Sequence, residues 1–206
     1  MLSAIAAVLP MFNLSPVPGP VWVNGAPVEI ILLAGPIAPG PACRRVEQRW
    51  NAVGEPFARC RPEGRWVTLT RLHAGGTELL QLRAAGGGSE GFWSRVPLLG
   101  RLRSPMKPRL PLPAGARAVN VIESGQGRAR AATHVLSLRM PVHDAAAWFQ
   151  ARALAHGWLA SPGCAVAGSN AECRFSRNRA HDVLLLRPAG GVTSLVLLES
   201  APWQAP

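Results

Sequence analysis

The sequence predicts an α+β protein of two similar units, each a small, mainly antiparallel sheet covered by one helix. Three observations predict it. The first is an internal match: Glu78–Gly87 aligns with Asp182–Gly191 after a shift of 104 residues, with six of ten positions identical. The same ungapped shift carries Cys60 onto Cys164 and Gly64 onto Gly168. The second is a series of short β-rich runs bounded by Gly, Pro and Asn. The third is one helix-period apolar stripe in each half. At 206 residues the chain has room for two domains of about 100 residues each.

The elements follow in order. Residues 1–20 read as an apolar N-terminal segment and a Pro-rich linker. Met1–Leu9 is too short to span a membrane, which takes about 20 residues. It reads as the apolar region of an export signal, or as a tail that docks on the first unit; the former is preferred. The first α+β unit covers residues 21–96. Asn24-Gly25 signals a turn, Val28–Leu33 a core strand, and Ala42–Val53 a helix with Val46, Trp50 and Val53 on one stripe and Gly54 at its end. Arg65–Arg71 and Glu78–Arg83 then read as strands joined by a turn at His73–Gly76, and Gly86–Gly88 as a loop leading to Phe92-Trp93. Residues 97–113, where five prolines alternate with Arg101, Arg103, Lys107 and Arg109, read as an extended, exposed linker. The second unit, residues 114–206, repeats the plan. Strands at Ala118–Glu123 and Thr133–Arg139 precede a helix at Asp144–His156 stopped by Gly157, and strands at Arg174–Arg177, Val183–Arg187 and Val192–Ser200 follow.

Charge and cysteine usage narrow the function classes. The net charge is +11, and residues 1–43 contain no Lys or Arg. Such an excess favours an anionic partner, against the plainer reading of a well-solvated arginine surface. Cys43 and Cys60 lie in the first half, Cys164 and Cys173 in the second. No Cys-x-x-Cys occurs and no His stands at metal spacing, so no metal site is expected. Pairing within each half would staple each unit separately and place the protein in an oxidising compartment; four buried free thiols are the alternative.

No catalytic signature emerges. His143-Asp144 is expected to be a helix start with Asp144 as its cap. His181 and Asp182 are strand neighbours that point to opposite faces. Gly86–Ser89 lacks the Lys and helix of a phosphate loop, and no serine lies in a nucleophile elbow. No cofactor and no small-molecule substrate are expected. The residues that best suit recognition of a partner are Arg44, Arg45 and Arg49 on the first helix, Trp93, and Arg101, Arg103, Lys107 and Arg109 in the linker, with Arg174, Arg177 and Arg179 near the second hairpin. No nucleic-acid motif accompanies them.

Leu112–Arg117, Ser137–Arg139, Trp148-Phe149 and Ala155–Trp158 together resemble a pattern recurrent in small proteobacterial cell-envelope proteins with duplicated α+β units, and Val23–Pro27 resembles the matching opening of the first unit. In that pattern a Pro-Gly opening precedes a strand, then an aromatic-bearing helix ending in Gly-Trp. The resemblance is to largely uncharacterised proteins; it implies a periplasmic or exported protein and attaches no catalytic role to it. The expectation is therefore a non-enzymatic accessory or adaptor protein, serving a secretion or pilus-type assembly and binding another envelope protein. The alternative is a binder of an anionic polymer, cell wall or nucleic acid, through dispersed arginines.

Overall fold

Alternating apolar and polar residues, joined by two-residue turns, make most of this chain into antiparallel ribbons. The computed structural model describes residues 9–52, 58–73, 75–98, 100–126 and 129–202. The chain divides into two units, one of Met1–Pro18 with Ala26–Arg101, the other of Gly19–Gly25 with Leu102–Pro206. Residues 19–25 thus belong to the second unit, and the Pro/Arg-rich stretch is shared between the two.

The first unit holds β1 (Asn13–Pro16), β3 (Ala26–Gly35), helix α1 (Pro39–Ala52), β4 (Cys60–Glu63), β5 (Trp66–His73), β6 (Gly76–Ala85) and β7 (Gly88–Pro97). Its strands run β1-β3-β7-β6-β5-β4, all antiparallel. Strand β7 returns beside β3, so the meander after α1 closes onto the strand before it. Pro39-Gly40-Pro41, expected to precede the helix, forms its first turn, where a missing N–H costs nothing. The expected stop at Gly54 lies outside the described residues. Ala42, Cys43, Val46 and Trp50 of α1 share one core with Ile31, Leu33, Leu69, Leu80, Leu82 and Trp93, and Leu9 and Phe12 also enter it.

The second unit holds β2 (Val21–Val23), β8 (Arg117–Gln126), β9 (Ala129–Leu138), helix α2 (Val142–Ala155), β10 (Leu159–Ala167), β11 (Asn170–Arg177), β12 (Ala180–Ala189) and β13 (Val192–Pro202). Its strands run β2-β8-β9-β13-β12-β11-β10, again antiparallel. Here too the last strand of the meander, β13, pairs with the strand before the helix. Strands β6 and β12, which carry the internal sequence match, are both the third strand after a helix. Gly157 takes positive φ, and the Gly157 and Trp158 N–H groups donate to Leu154 O and Ala153 O, ending α2 as its sequence requires.

The expected α+β class is incorrect. The described residues form thirteen strands and two helices of 14 residues each, so the protein is mainly β. Nor are the sheets small and simply helix-covered. Helix α2 lies over β10–β12, while residues 102–112, expected to be exposed linker, pack on the same unit and send Leu110 into its core. The error has a local origin. No strand is expected from the sequence at β1, β2, β4, β7 or β10: β2 has only three residues, and Pro, Gly, Ser or a charge interrupts each of the others. Strand β7 opens Gly-Ser-Glu-Gly but is held on both sides, by β3 and by β6. Strand β10 accommodates Pro162 and Gly163 at a bulge between Ala160 and Gly163.

Both cysteine pairs are bridged. Cys43 of α1 joins Cys60 of β4, with Cα atoms 6.1 Å apart. Cys164 and Cys173 lie directly opposite each other on β10 and β11 and are joined across the ladder. Residues 165–172 between them are strand except for the turn at Gly168-Ser169. Two disulfides are consistent with an exported protein. Among the described residues no helix is long and apolar enough to cross a membrane.

Candidate functional site

Strand alternation in the second unit places leucines on the face under α2: Leu184 and Leu186 on β12, Leu195 and Leu197 on β13, Leu136 and Leu138 on β9. Carried two residues further along each strand, the same alternation puts Asp182, Glu199 and His134 on that face, with Glu123 doing so on β8. All four are almost fully buried. This is the end of the sheet that residues 102–112 cover, and the covering segment brings the cations.

Arg109 is the centre of the arrangement. Its backbone N–H donates to Glu199 Oε1 at 2.6 Å. Its guanidinium pairs with the Asp182 carboxylate through Nη2 and also donates to Ser200 O at 3.2 Å. Glu199 Oε2 lies 3.8 Å from Arg109 Nε and 3.2 Å from His134 Nε2, so a carboxylate acceptor places the imidazole proton on Nε2. Further along, Arg103 pairs with buried Glu123 and stacks 3.6 Å from the Trp22 ring centroid, and the Met106 N–H donates to Glu123 Oε1 at 3.1 Å. Burial is the largest influence on Asp182 and raises its pKa from 3.8 to about 7. Arg109 opposes this, Glu199 reinforces it, and burial prevails.

Beside this cluster is a cavity of about 360 Å³ whose wall includes Arg109, Arg130, Arg177, Asn178, Glu199 and Trp158. The rest of the wall is small or apolar, with Ala132, Ala180, Ala201 and Met106. The Arg177 guanidinium lies 4.8 Å from the Trp158 ring centroid and donates to His156 O at 3.0 Å. Trp158 is buried, yet its Nε1–H has no acceptor among the described residues.

The first unit has a comparable, simpler arrangement. Glu78, which the 104-residue shift aligns with Asp182, is also nearly buried and bonds Arg71 Nε at 2.8 Å. Arg71 in turn lies 4.6 Å from the Trp50 ring centroid.

The residues expected to bind a partner do not converge. Arg44, Arg45 and Arg49 are exposed on α1, and Arg101 and Lys107 are exposed in their segment. Arg103 and Arg109 are committed to internal acids. Trp93 is 2% exposed in the first unit's core and is unavailable to a partner. Asp144 lies in the first turn of α2 but does not cap it: the cap is Pro141, and no side chain supplies a capping bond. His181 is exposed and Asp182 buried, on opposite faces as strand geometry demands. The acids of the cluster were overlooked as a group, although the pattern was present: Val121-x-Glu123, Leu195-x-Leu197-x-Glu199 and Asp182-x-Leu184-x-Leu186 each continue an apolar series with an acid.

The opposite face of the second unit's sheet is open. Leu185 faces Val196 and Val183 faces Leu198 across β12 and β13; Val196 faces Val135 and Leu198 faces Thr133 across β13 and β9; Thr133 faces Ile122 on β8. Leu185, Leu198 and Ile122 are each about two-fifths exposed. Arg187 and Arg174 stand on the same face at its margin, Arg174 paired with Glu172. No protein-family model matches the chain, and no match was found among curated proteins or solved structures.

Proposed function

We propose that this protein is a non-enzymatic accessory or adaptor of the bacterial envelope, serving a secretion or pilus-type assembly, and that it holds a partner protein on the open face of its second sheet. The apolar rows across β8, β9, β13 and β12 carry this reading. Exposed apolar side chains contiguous over four strands are a costly surface for a protein to leave in water. Arg187 at the margin suits a partner that presents an apolar strip with an acidic edge. The two disulfides support residence outside the cytoplasm. The buried acid cluster supports a structural role, since Arg109 and Arg103 hold its carboxylates.

The test is photo-crosslinking in producing cells, with a benzophenone residue in place of Leu185 or Leu198, and in place of exposed Leu154 on α2 as control. The expected result is one adduct, identical from Leu185 and Leu198, absent from Leu154, and lost on Ile122→Asp. Adducts shared by all three positions, an adduct with a second copy of the chain, or none at all would reject the reading.

A further inference from the structure

We infer that the β10 end of the second sheet's open face is a specificity subsite for a partner segment that presents a bulky apolar side chain beside an aspartate or glutamate. The inference rests on the docking role proposed above and names the chemistry that the partner must offer. A hollow of about 540 Å³ lies there, walled by Ala165 and Ala167 of β10, Glu172 of β11, Leu185 and Arg187 of β12, and Val196 of β13. Ala165, Glu172, Leu185 and Val196 stand directly opposite one another from strand to strand, so their side chains form one row on one face. Ala167 and Arg187 lie two residues further along β10 and β12, on the same face.

The row is uneven, and the unevenness makes the hollow. Its inner side carries Leu185 and Val196, while its edge side ends in alanines, whose methyl groups leave open the space that a larger strand residue would fill. The volume falls within the range of about 300–1,000 Å³ of sites that enclose a ligand, so the hollow admits a whole side chain. Leu185 is 41% exposed, and a side chain seated against it removes that apolar surface from water. Side chains seated in pockets of this kind carry most of the energy of a protein contact. Charge selects the anchor's neighbour. Arg174 donates from Nε to Glu172 at 2.5 Å, whereas no acid among the described residues pairs with Arg187. Two guanidinium groups thus stand beside one carboxylate, and an acid of the partner completes the set. A second copy of this chain would bring a net charge of +11 against its like, so the complementary occupant is a different, acidic segment.

The experiment titrates the full-length, disulfide-bonded protein with N-acetyl-Gly-Ser-Phe-Glu-Ser-Gly-amide and follows the methyl signals of Leu185, Val196 and Ile122 by NMR. Companion peptides carry alanine for the phenylalanine or glutamine for the glutamate. The first peptide should shift Leu185 and Val196 saturably below about 10 mM and leave Ile122, on β8 outside the hollow, unmoved. The alanine peptide should not bind in that range. The glutamine peptide should bind roughly threefold more weakly, a difference that Arg187→Gln removes and about 0.5 M salt reduces. Ala165→Leu, which fills the hollow, should weaken the first peptide roughly tenfold or more; Ala167→Leu is the second variant should Ala165→Leu misfold. An alanine peptide that binds equally well, a folded Ala165→Leu or Ala167→Leu protein of unchanged affinity, or no saturable shift would each overturn the subsite. Failure of the docking role itself is distinguishable. A partner adduct formed from Leu198 in cells and kept at full yield in Ala165→Leu protein overturns the subsite alone, whereas no adduct from either Leu185 or Leu198 rejects docking.

Discussion

Asp182 is the residue whose environment departs most from the ordinary. A folded-state carboxyl that keeps its proton to higher pH than in the unfolded chain stabilises the fold fully below the unfolded value of 3.8 and loses that contribution as pH rises through about 7. Urea-unfolding stability of the native protein should therefore fall as pH rises from about 4 to about 7 and level off above that. Asp182→Asn, neutral throughout, should remove much of that slope; equal slopes in the two proteins would show that Asp182 titrates normally. Arg109 sets a second expectation. Arg109→Ala leaves Asp182 and Glu199 buried without their cation, so stability should drop by on the order of 3 kcal/mol at neutral pH. The loss should be smaller at about pH 5, where Asp182 is protonated. The same pair of pH values in urea titrations checks it.

Among the elements, β7 shows how close packing constrains sequence. A Cβ on Gly91 would sit 1.9 Å from Gln81 O on the neighbouring strand β6. Backbone cannot yield there without breaking the ladder, so Gly91→Ala should destabilise the protein by roughly 2 kcal/mol or more. The opposite case is Gly87, where nothing lies within 4 Å and only its positive φ resists substitution. Gly87→Ala should cost about 1 kcal/mol, and comparison of the two thermal melts separates steric from conformational effects. The Cys164–Cys173 bridge ties edge strand β10 to β11. Cys164→Ser with Cys173→Ser should lower stability by about 2–3 kcal/mol. Non-reducing peptide mapping of protein from its native compartment should recover this pair and Cys43–Cys60; free thiols there would exclude the oxidising compartment.

For the whole molecule, fewer of the 22 basic side chains are open to a partner than the composition implies, although the net charge of +11 already counts the acids that pair with them. Arg71, Arg83, Arg103, Arg109 and Arg174 are each paired with a carboxylate of their own unit. If the open apolar face is the docking surface, partner binding should survive about 0.5 M salt, where charges are screened within a few ångströms. Tight DNA or RNA binding that falls steeply with salt would instead favour a polyanion partner.

What could be read along the chain was whatever depends on near neighbours. Asn24-Gly25, Gly190-Gly191 and Gly157 announce positive-φ turns or a helix end, because only such residues adopt that backbone cheaply. Both helices were placed to within a few residues, and cysteine pairing within each half needed only economy. Strands β1, β4, β7 and β10 were decided by tertiary structure, because a strand with Gly, Pro or charge in it is stable only when a neighbour supplies the ladder. Their recruitment turned an expected α+β plan into a mainly β one. The acid cluster was half legible: alternation placed Asp182 and Glu199 on the core face, but not what would neutralise them. That required Arg109, 73 residues before Asp182 and 90 before Glu199. No local pattern reports such a partner, since ion pairing depends on distance in space, and only the folded chain brings these charges within reach.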